Sequence, residues 1–515
     1  MSFTSLQFLL FLPLVFVLYW TLRRSVRWQN LLLICASYVF YGWWDWRFLG
    51  LIALTTAASF ASGLLLDRYD GHERRRRWIT AANIVLNLGI LALFKYYDFF
   101  ADNLSAVLRA LGFRADLPTL RLILPVGISF YTFQALSYTI DVHRRQLRAT
   151  RDVLAFFAYI AFFPQLVAGP IERATHLLPQ MLRARTFNYT AAADGLRQML
   201  WGFAKKMLVA DTCALAVDII WQSPGEQSAL VLAVGAVLFS VQIYGDFSGY
   251  SDIAVGCARL FGIQLMQNFR TPYFAASITD FWRRWHISLM TWLRDYVYIP
   301  LGGNRCSRLR QYANTLTTFL LSGLWHGAAW TYVLWGLYHG LLVCIEKTLK
   351  TLNSPKLSTT LRSSLLAHSN KVSLENSKLS ARLLVAHSSL RVLRTLNSSK
   401  PYTLNSTLLT FLLVSFGWIL FRAPDLSAFA AYCRGLCHLS SLFAFSTLTM
   451  GKSALLWSAA LLLIEWLQRS RAHALDLPAC GILRHRAVRW AVYYALILLI
   501  LFCHADEQAF IYFQF

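Results

Sequence analysis

The sequence predicts an all-α polytopic membrane protein, with about 10–12 transmembrane helices plus re-entrant or interfacial helices. Three observations predict it. Hydrophobic residues make up 57% of the 515 and charged residues only 14%, whereas a soluble domain carries about 25% charge. Apolar stretches recur along the whole chain, and a span needs roughly 20 such residues. Basic clusters fall between the stretches: "RRSVR" at 23–27, "DRYDGHERRRR" at 67–77 and "HRRQLRATR" at 143–151. That spacing is the positive-inside pattern of cytoplasmic loops.

The apolar segments lie near 5–22, 30–47, 48–66, 79–100, 122–140, 153–169, 192–220, 229–260, 312–346, 408–421, 453–467 and 487–504. The first lacks the basic leader and small-residue cleavage site of a signal peptide, so it reads as a retained span that starts outside. Segment 276–300 differs. Asp280, Arg284, Ser288, Thr291 and Asp295 recur at spacings of three and four, opposite a stripe of Ile278, Phe281, Trp285, Leu289, Trp292 and Tyr296. This predicts one amphipathic helix at the interface or along a wet cavity.

Residues 351–407 are rich in Ser, Leu, Asn and basic residues, and "TLNS" recurs at 351, 395 and 403. They read as a low-complexity basic cytoplasmic loop, a tolerated insertion. The chain then divides into a helical core over 1–350, this loop, and further transmembrane helices over 408–515. The net charge of +24 is explained by loop bias, and no nucleic-acid partner is expected. Nine cysteines without a CxxC pair argue against a disulfide framework. Cys433, Cys437 and His438 make too short a cluster to imply metal. No inverted repeat is evident, which disfavours transporter folds built from internal repeats.

Polar residues inside spans are functional candidates. Asp246, Ser248 and Asp252 stand in "YGDFSGYSDIAVG" at 244–256, His286 in "FWRRWHISL" and His326 in "LSGLWHGAAW". Gly323 and Gly327 thin the helix beside His326 and allow close approach; Trp325 and Trp330 offer apolar walls. A neutral imidazole there can act as a general base. No GxSxG elbow, HExxH helix, P-loop or HxxxxD box is present, and so no side-chain nucleophile neighbours the histidines in sequence. That suits attack by an activated hydroxyl on a bound acyl donor.

The blocks "DFWRRWHISLMTWLRDYVYIPLGGNR" at 280–305 and "LSGLWHGAAWTYVLWGLYHG" at 321–340 resemble the signatures of the membrane-bound O-acyltransferase superfamily. They look like its bacterial, alginate-acetylating and D-alanyl-transferring branch. "FFPQLVAGPIER" at 162–173, "NFRTPYF" at 268–274, "FGWILFRA" at 416–423 and "FIYFQF" at 510–515 match in order; the repetitive 351–407 loop departs from the pattern. The resemblance implies helices ringed around a central tunnel, with His326 catalytic and His286 its companion. It implies a cytoplasmic acyl thioester donor, acetyl-CoA for acetylating members, and an extracytoplasmic polysaccharide acceptor. It also implies an exported SGNH/GDSL-like acetyltransferase partner, and residence in the bacterial cytoplasmic membrane.

Asp246 and Ser248 are expected to line the tunnel or simply to stabilise buried helix ends; Trp325 is a further lining candidate, and Asn268 and Arg294 are weaker ones. Tyr512, set among Phe510, Phe513 and Phe515, reads either as an interfacial belt residue or, by similarity to aromatic-Tyr motifs in teichoic-acid systems, as an acyl carrier. A donor borne on a carrier protein and a non-enzymatic transporter with proton-relay histidines remain the alternatives.

Overall fold

The structure is a computed structural model, and it describes residues 1–113, 117–167, 169–352, 404–438, 451–477 and 481–513. Most of the predicted 351–407 loop, and Gln514 and Phe515, lie outside the described residues. Among the described residues the regular elements are all helical.

The first layer is α1 (Leu6–Thr21), α2 (Val26–Asp45), α3 (Leu49–Arg68), α4 (Glu73–Leu91) and α5 (Tyr97–Ala110). Ser5 and Ser25 cap α1 and α2 by accepting from the Phe8 and Trp28 amides, which satisfies first-turn donors. A π turn, Ala92–Tyr96, joins α4 to α5. Next come α6 (Ile128–His143), α7 (Val153–Ala161), α8 (Phe163–Leu166), α9 (Ala174–Leu182), α10 (Tyr189–Phe203) and α11 (Asp211–Gln222). A second π turn, Ala204–Ala210, links α10 to α11.

The centre is α12 (Ala229–Leu260), buried along nearly its whole length. It meets α10 at backbone distance. A Cβ on Gly249 would stand 2.8 Å from the Gly202 carbonyl oxygen, and one on Gly256 would stand 2.3 Å from that of Gly195. Small residues let apolar helices approach this closely where no water is present to drive them together. After α12 follow α13 (Ile278–Arg284), α14 (Ile287–Leu293), α15 (Arg308–His326), α16 (Trp330–Leu352), α17 (Leu404–Arg422), α18 (Leu426–Cys437), α19 (Lys452–Leu467) and α20 (Arg486–Cys503).

Five described helical stretches are long and apolar enough to cross a membrane: 26–68, 73–110, 229–260, 404–422 and 486–503. The other apolar segments form shorter or more polar helices, many of them packed in the interior. One expectation needs correction. The predicted single helix over 276–300 is broken between α13 and α14, because His286 adopts a left-handed backbone with φ 44°. The long 312–346 run holds two helices, α15 and α16, in a hairpin turning at residues 327–329.

Candidate active site

His326 is the last residue of α15. Its ring lies 5.1 Å from Trp335, 5.3 Å from Phe421 and 5.6 Å from Tyr512, centroid to centroid. His286 approaches from the α13–α14 break. It lies 4.7 Å from Phe247, 5.7 Å from Trp325 and 6.4 Å from Tyr512. The two histidines, on separate elements, therefore converge on Trp325 and Tyr512. Both are buried. Neither nitrogen of His286, nor Nδ1 of His326, finds a hydrogen-bond partner among the described residues. Such orphaned groups are uncommon in a buried site and call for a role.

The residues around His286 explain its unusual backbone. Asn268 accepts from the Ser288 hydroxyl at 2.6 Å and from the Ser288 amide through its side chain, while its own carbonyl accepts from Ile287 at 3.0 Å. The Ser288 hydroxyl in turn accepts from the Ile171 amide at 3.0 Å. Asn268, predicted as a lining residue, thus staples the turn that carries His286.

Gly323 admits α16, as its spacing suggested: an added Cβ would sit 2.2 Å from the Tyr332 carbonyl oxygen. The close neighbour is the partner helix of the hairpin. At the other side of His326, Lys95 donates to the carbonyls of Trp325 at 2.7 Å and His326 at 3.0 Å. The Tyr96 hydroxyl donates to Leu324 at 2.9 Å. The end of a helix leaves carbonyls without internal partners, and a cation there is favoured by the helix dipole. Lys95, His326, Trp325, Tyr512 and residues 124–130 line a cavity of about 60 Å³, where about 10–15 Å³ on the same measure admits one water.

Tyr512 reaches this chamber from residues 504–511, which run in beside α12. Phe247 at 4.5 Å, Phe510 at 5.6 Å, Trp325 at 6.3 Å and Phe130 at 6.4 Å surround its ring. Asp246 does not face the histidines. It pairs with Lys206 at 2.8 Å and accepts from the Ile511 amide at 2.7 Å. Ser248 is buried in α12 and lies apart from the chamber lining. Arg294 lies outside it as well, half exposed and bonded to Asp295 at 2.6 Å.

Sequence reasoning missed Lys95, Lys206 and Phe247. The signal for the lysines was present, since a lysine within an apolar run is a functional candidate by default. A third buried histidine, His339, sits between Trp282 at 5.0 Å and Trp335 at 5.1 Å without a hydrogen-bond partner among the described residues.

Comparison with known proteins identifies relatives over most of the chain. The probable alginate O-acetylase AlgI of Azotobacter vinelandii is 43% identical over 366 residues, covering 70% of this chain and 72% of that protein. Its counterpart in Pseudomonas aeruginosa is 40% identical over 430 residues, 83% of this chain and 73% of that one. The peptidoglycan O-acetyltransferase of Helicobacter pylori is 31% identical over 474 residues, 85% and 81% of the two chains. The family model of MBOAT, the membrane-bound O-acyltransferase family, matches residues 39–365, a range that holds both histidines. With the all-helical architecture and these relatives, the chain belongs to the membrane-bound O-acyltransferase family and is an alginate O-acetylase-like membrane enzyme.

Proposed function

We propose that the chain carries an acetyl group from a cytoplasmic thioester, acetyl-CoA, to a tyrosine on the far side of the site, and from there towards hydroxyls of an extracytoplasmic polysaccharide. The observation that carries this is the placement of Tyr512 beside His326 in one buried chamber, with their rings 5.6 Å apart. A nucleophile that was absent from the sequence around the histidines is supplied by a segment far along the chain.

The chemistry follows acyl transfer through a covalent intermediate, which splits one hard step into two. His326 takes the proton of the Tyr512 hydroxyl as the oxygen attacks the thioester carbonyl. The carbon–sulfur bond breaks, the departing thiolate takes the proton back from His326, and a tyrosyl ester forms. His286, with no competing partner among the described residues, polarises the thioester carbonyl. An exported SGNH-like acetyltransferase then accepts the acetyl group from Tyr512 and finishes transfer to the polymer. The identities of 40–43% to alginate O-acetylases, above the 31% to the peptidoglycan enzyme, favour an exopolysaccharide of the alginate kind. The basic loops at 23–27, 67–77 and 143–151 favour the orientation in a bacterial cytoplasmic membrane.

The test is reconstitution in liposomes with acetyl-labelled coenzyme A, and in parallel with an acetylated carrier protein. Label bound as an ester on Tyr512, and lost in Tyr512→Phe and His326→Ala, is the expected result. Wild-type polysaccharide acetylation by folded Tyr512→Phe protein overturns the carrier role. Labelling only from the carrier protein reassigns the donor.

A further inference from the structure

The residues that hold 504–512 in place are charged and buried, although a membrane interior disfavours both conditions. Lys206, on the π turn between α10 and α11, is 1% exposed. It pairs with Asp211 at 2.7 Å and Asp246 at 2.8 Å. Its ammonium also donates to the Gln508 carbonyl at 2.9 Å. An ammonium has three donors and no acceptor, and here three partners meet it. Asp246 then extends its second carboxylate oxygen to the Ile511 amide at 2.7 Å. The segment is thus gripped at two backbone points of opposite polarity, a carbonyl at 508 and an N–H at 511, by a cation and its counter-ion.

Packing completes the grip on either side. Phe510, between the two held points, lies 4.1 Å from Tyr250, and the Tyr250 hydroxyl is 3.1 Å from that of Ser2. Thr4 donates to Glu507. Tyr512 follows immediately after the second held amide. A slip of one residue would present Ile511 or Phe513 to His326 in its place.

We propose that Lys206 and Asp246 are positioning residues, a clamp on residues 508–511 that fixes the register in which Tyr512 meets His326. The role of the clamp in catalysis rests on Tyr512 being the acyl carrier; the clamp itself does not. Asp211 serves as the standing counter-ion. It keeps Lys206 paired when Asp246 is changed, so the cation is not stranded in the interior, which would be strongly destabilising.

The experiment uses the full-length protein in liposomes. A thiol is placed at the shielded position by Ile511→Cys and its reaction with a membrane-impermeant maleimide is followed at that peptide. Combining it with Asp246→Ala is expected to raise labelling about tenfold, as loss of about 1.4 kcal/mol of docking would, whereas Asp246→Asn keeps an accepting oxygen and stays near the parent. Acetyl-Tyr512 should fall with the same ranking, as a drop in kcat at unchanged donor KM. Ile511→Pro deletes the held N–H and leaves all three charges in place. It should lose acetyl-Tyr512, while Ile511→Val retains it.

Unchanged labelling in folded Asp246→Ala protein, or full acetyl-Tyr512 in Ile511→Pro, overturns the clamp. If Asp246→Ala does not fold, the Ile511→Pro and Ile511→Val pair decides the question alone. If Tyr512 is never acetylated even in the parent, but Asp246→Ala exposes the introduced thiol, then the carrier role fails and the clamp stands.

Discussion

Tyr512 and His326 lie in contact range, rings 5.6 Å apart, although one closes a helix in the middle of the chain and the other follows the last described span. Trp325 stands beside both, 4.9 Å from His326 and 6.3 Å from Tyr512. The pairing sets an imidazole and a phenol side by side in one buried site.

His326→Ala removes the proposed base. Positioned proton transfer is worth about 100-fold to 10,000-fold in rate, and acetyl transfer should fall within that range. Protein quantity in the membrane and its gel-filtration profile should stay unchanged, measured on the same preparations.

Asn268→Ala should act through His286. The substitution strips two hydrogen bonds from Ser288 and frees the turn with φ 44°. Buried hydrogen bonds left unmade cost about 1–3 kcal/mol, so the melting midpoint in detergent should drop and kcat with it. Ser288→Ala breaks the shorter of the same bonds. Because the two residues share the Asn268–Ser288 bond, their costs should not add, and the double variant should exceed Asn268→Ala only by the loss of the Ile171 amide's acceptor, which a double-mutant cycle measures.

Gly323→Ala should destabilise the α15–α16 hairpin. The new Cβ would stand 2.2 Å from the Tyr332 carbonyl oxygen, and backbone on both sides leaves nothing flexible to yield. Overpacking of this kind costs about 1–3 kcal/mol. Thermal unfolding in detergent reports it, and activity should fall with it because His326 ends the same helix.

Lys95→Met should loosen the end of α15. It removes the two bonds to the carbonyls of Trp325 and His326, each a charge-assisted interaction of about 1.5–3 kcal/mol. Lys95→Arg should recover part of the stability, since a guanidinium still donates there. Comparing the two midpoints and the two rates checks it; equal stability of Lys95→Met and the parent would remove the capping role.

Sequence reasoning located the helices well where apolar runs are uninterrupted. The 229–260 run is the helix Ala229–Leu260, and 453–467 is Lys452–Leu467. Apolar length alone decides such elements. It failed at 276–300 because the three-and-four spacing continues unbroken through Trp285 and His286, and nothing local marks a left-handed residue. The break is imposed from outside, by Asn268, which holds Ser288 from 20 positions away. The two histidines were legible as polar residues in apolar surroundings, and the hydroxyl neighbour was legible only as an aromatic motif. Asp246 was noticed as a lining residue, but its partner amide is 265 positions distant, and pairing at that separation leaves no trace in local pattern.

The small chamber has a consequence for the energetics of the whole membrane. Phe130, Trp325 and Tyr512 crowd the His326 side of the site, where a cavity of about 60 Å³ remains. Aromatic walls give an ion no replacement for its hydration shell. A membrane holding 100 mV stores about 2.3 kcal/mol in each elementary charge kept apart. In the proposed route the acyl group crosses this point as a covalent passenger on the Tyr512 side chain. Carried that way, the acyl group needs no open ion path, and the proposed transfer leaves the membrane potential intact.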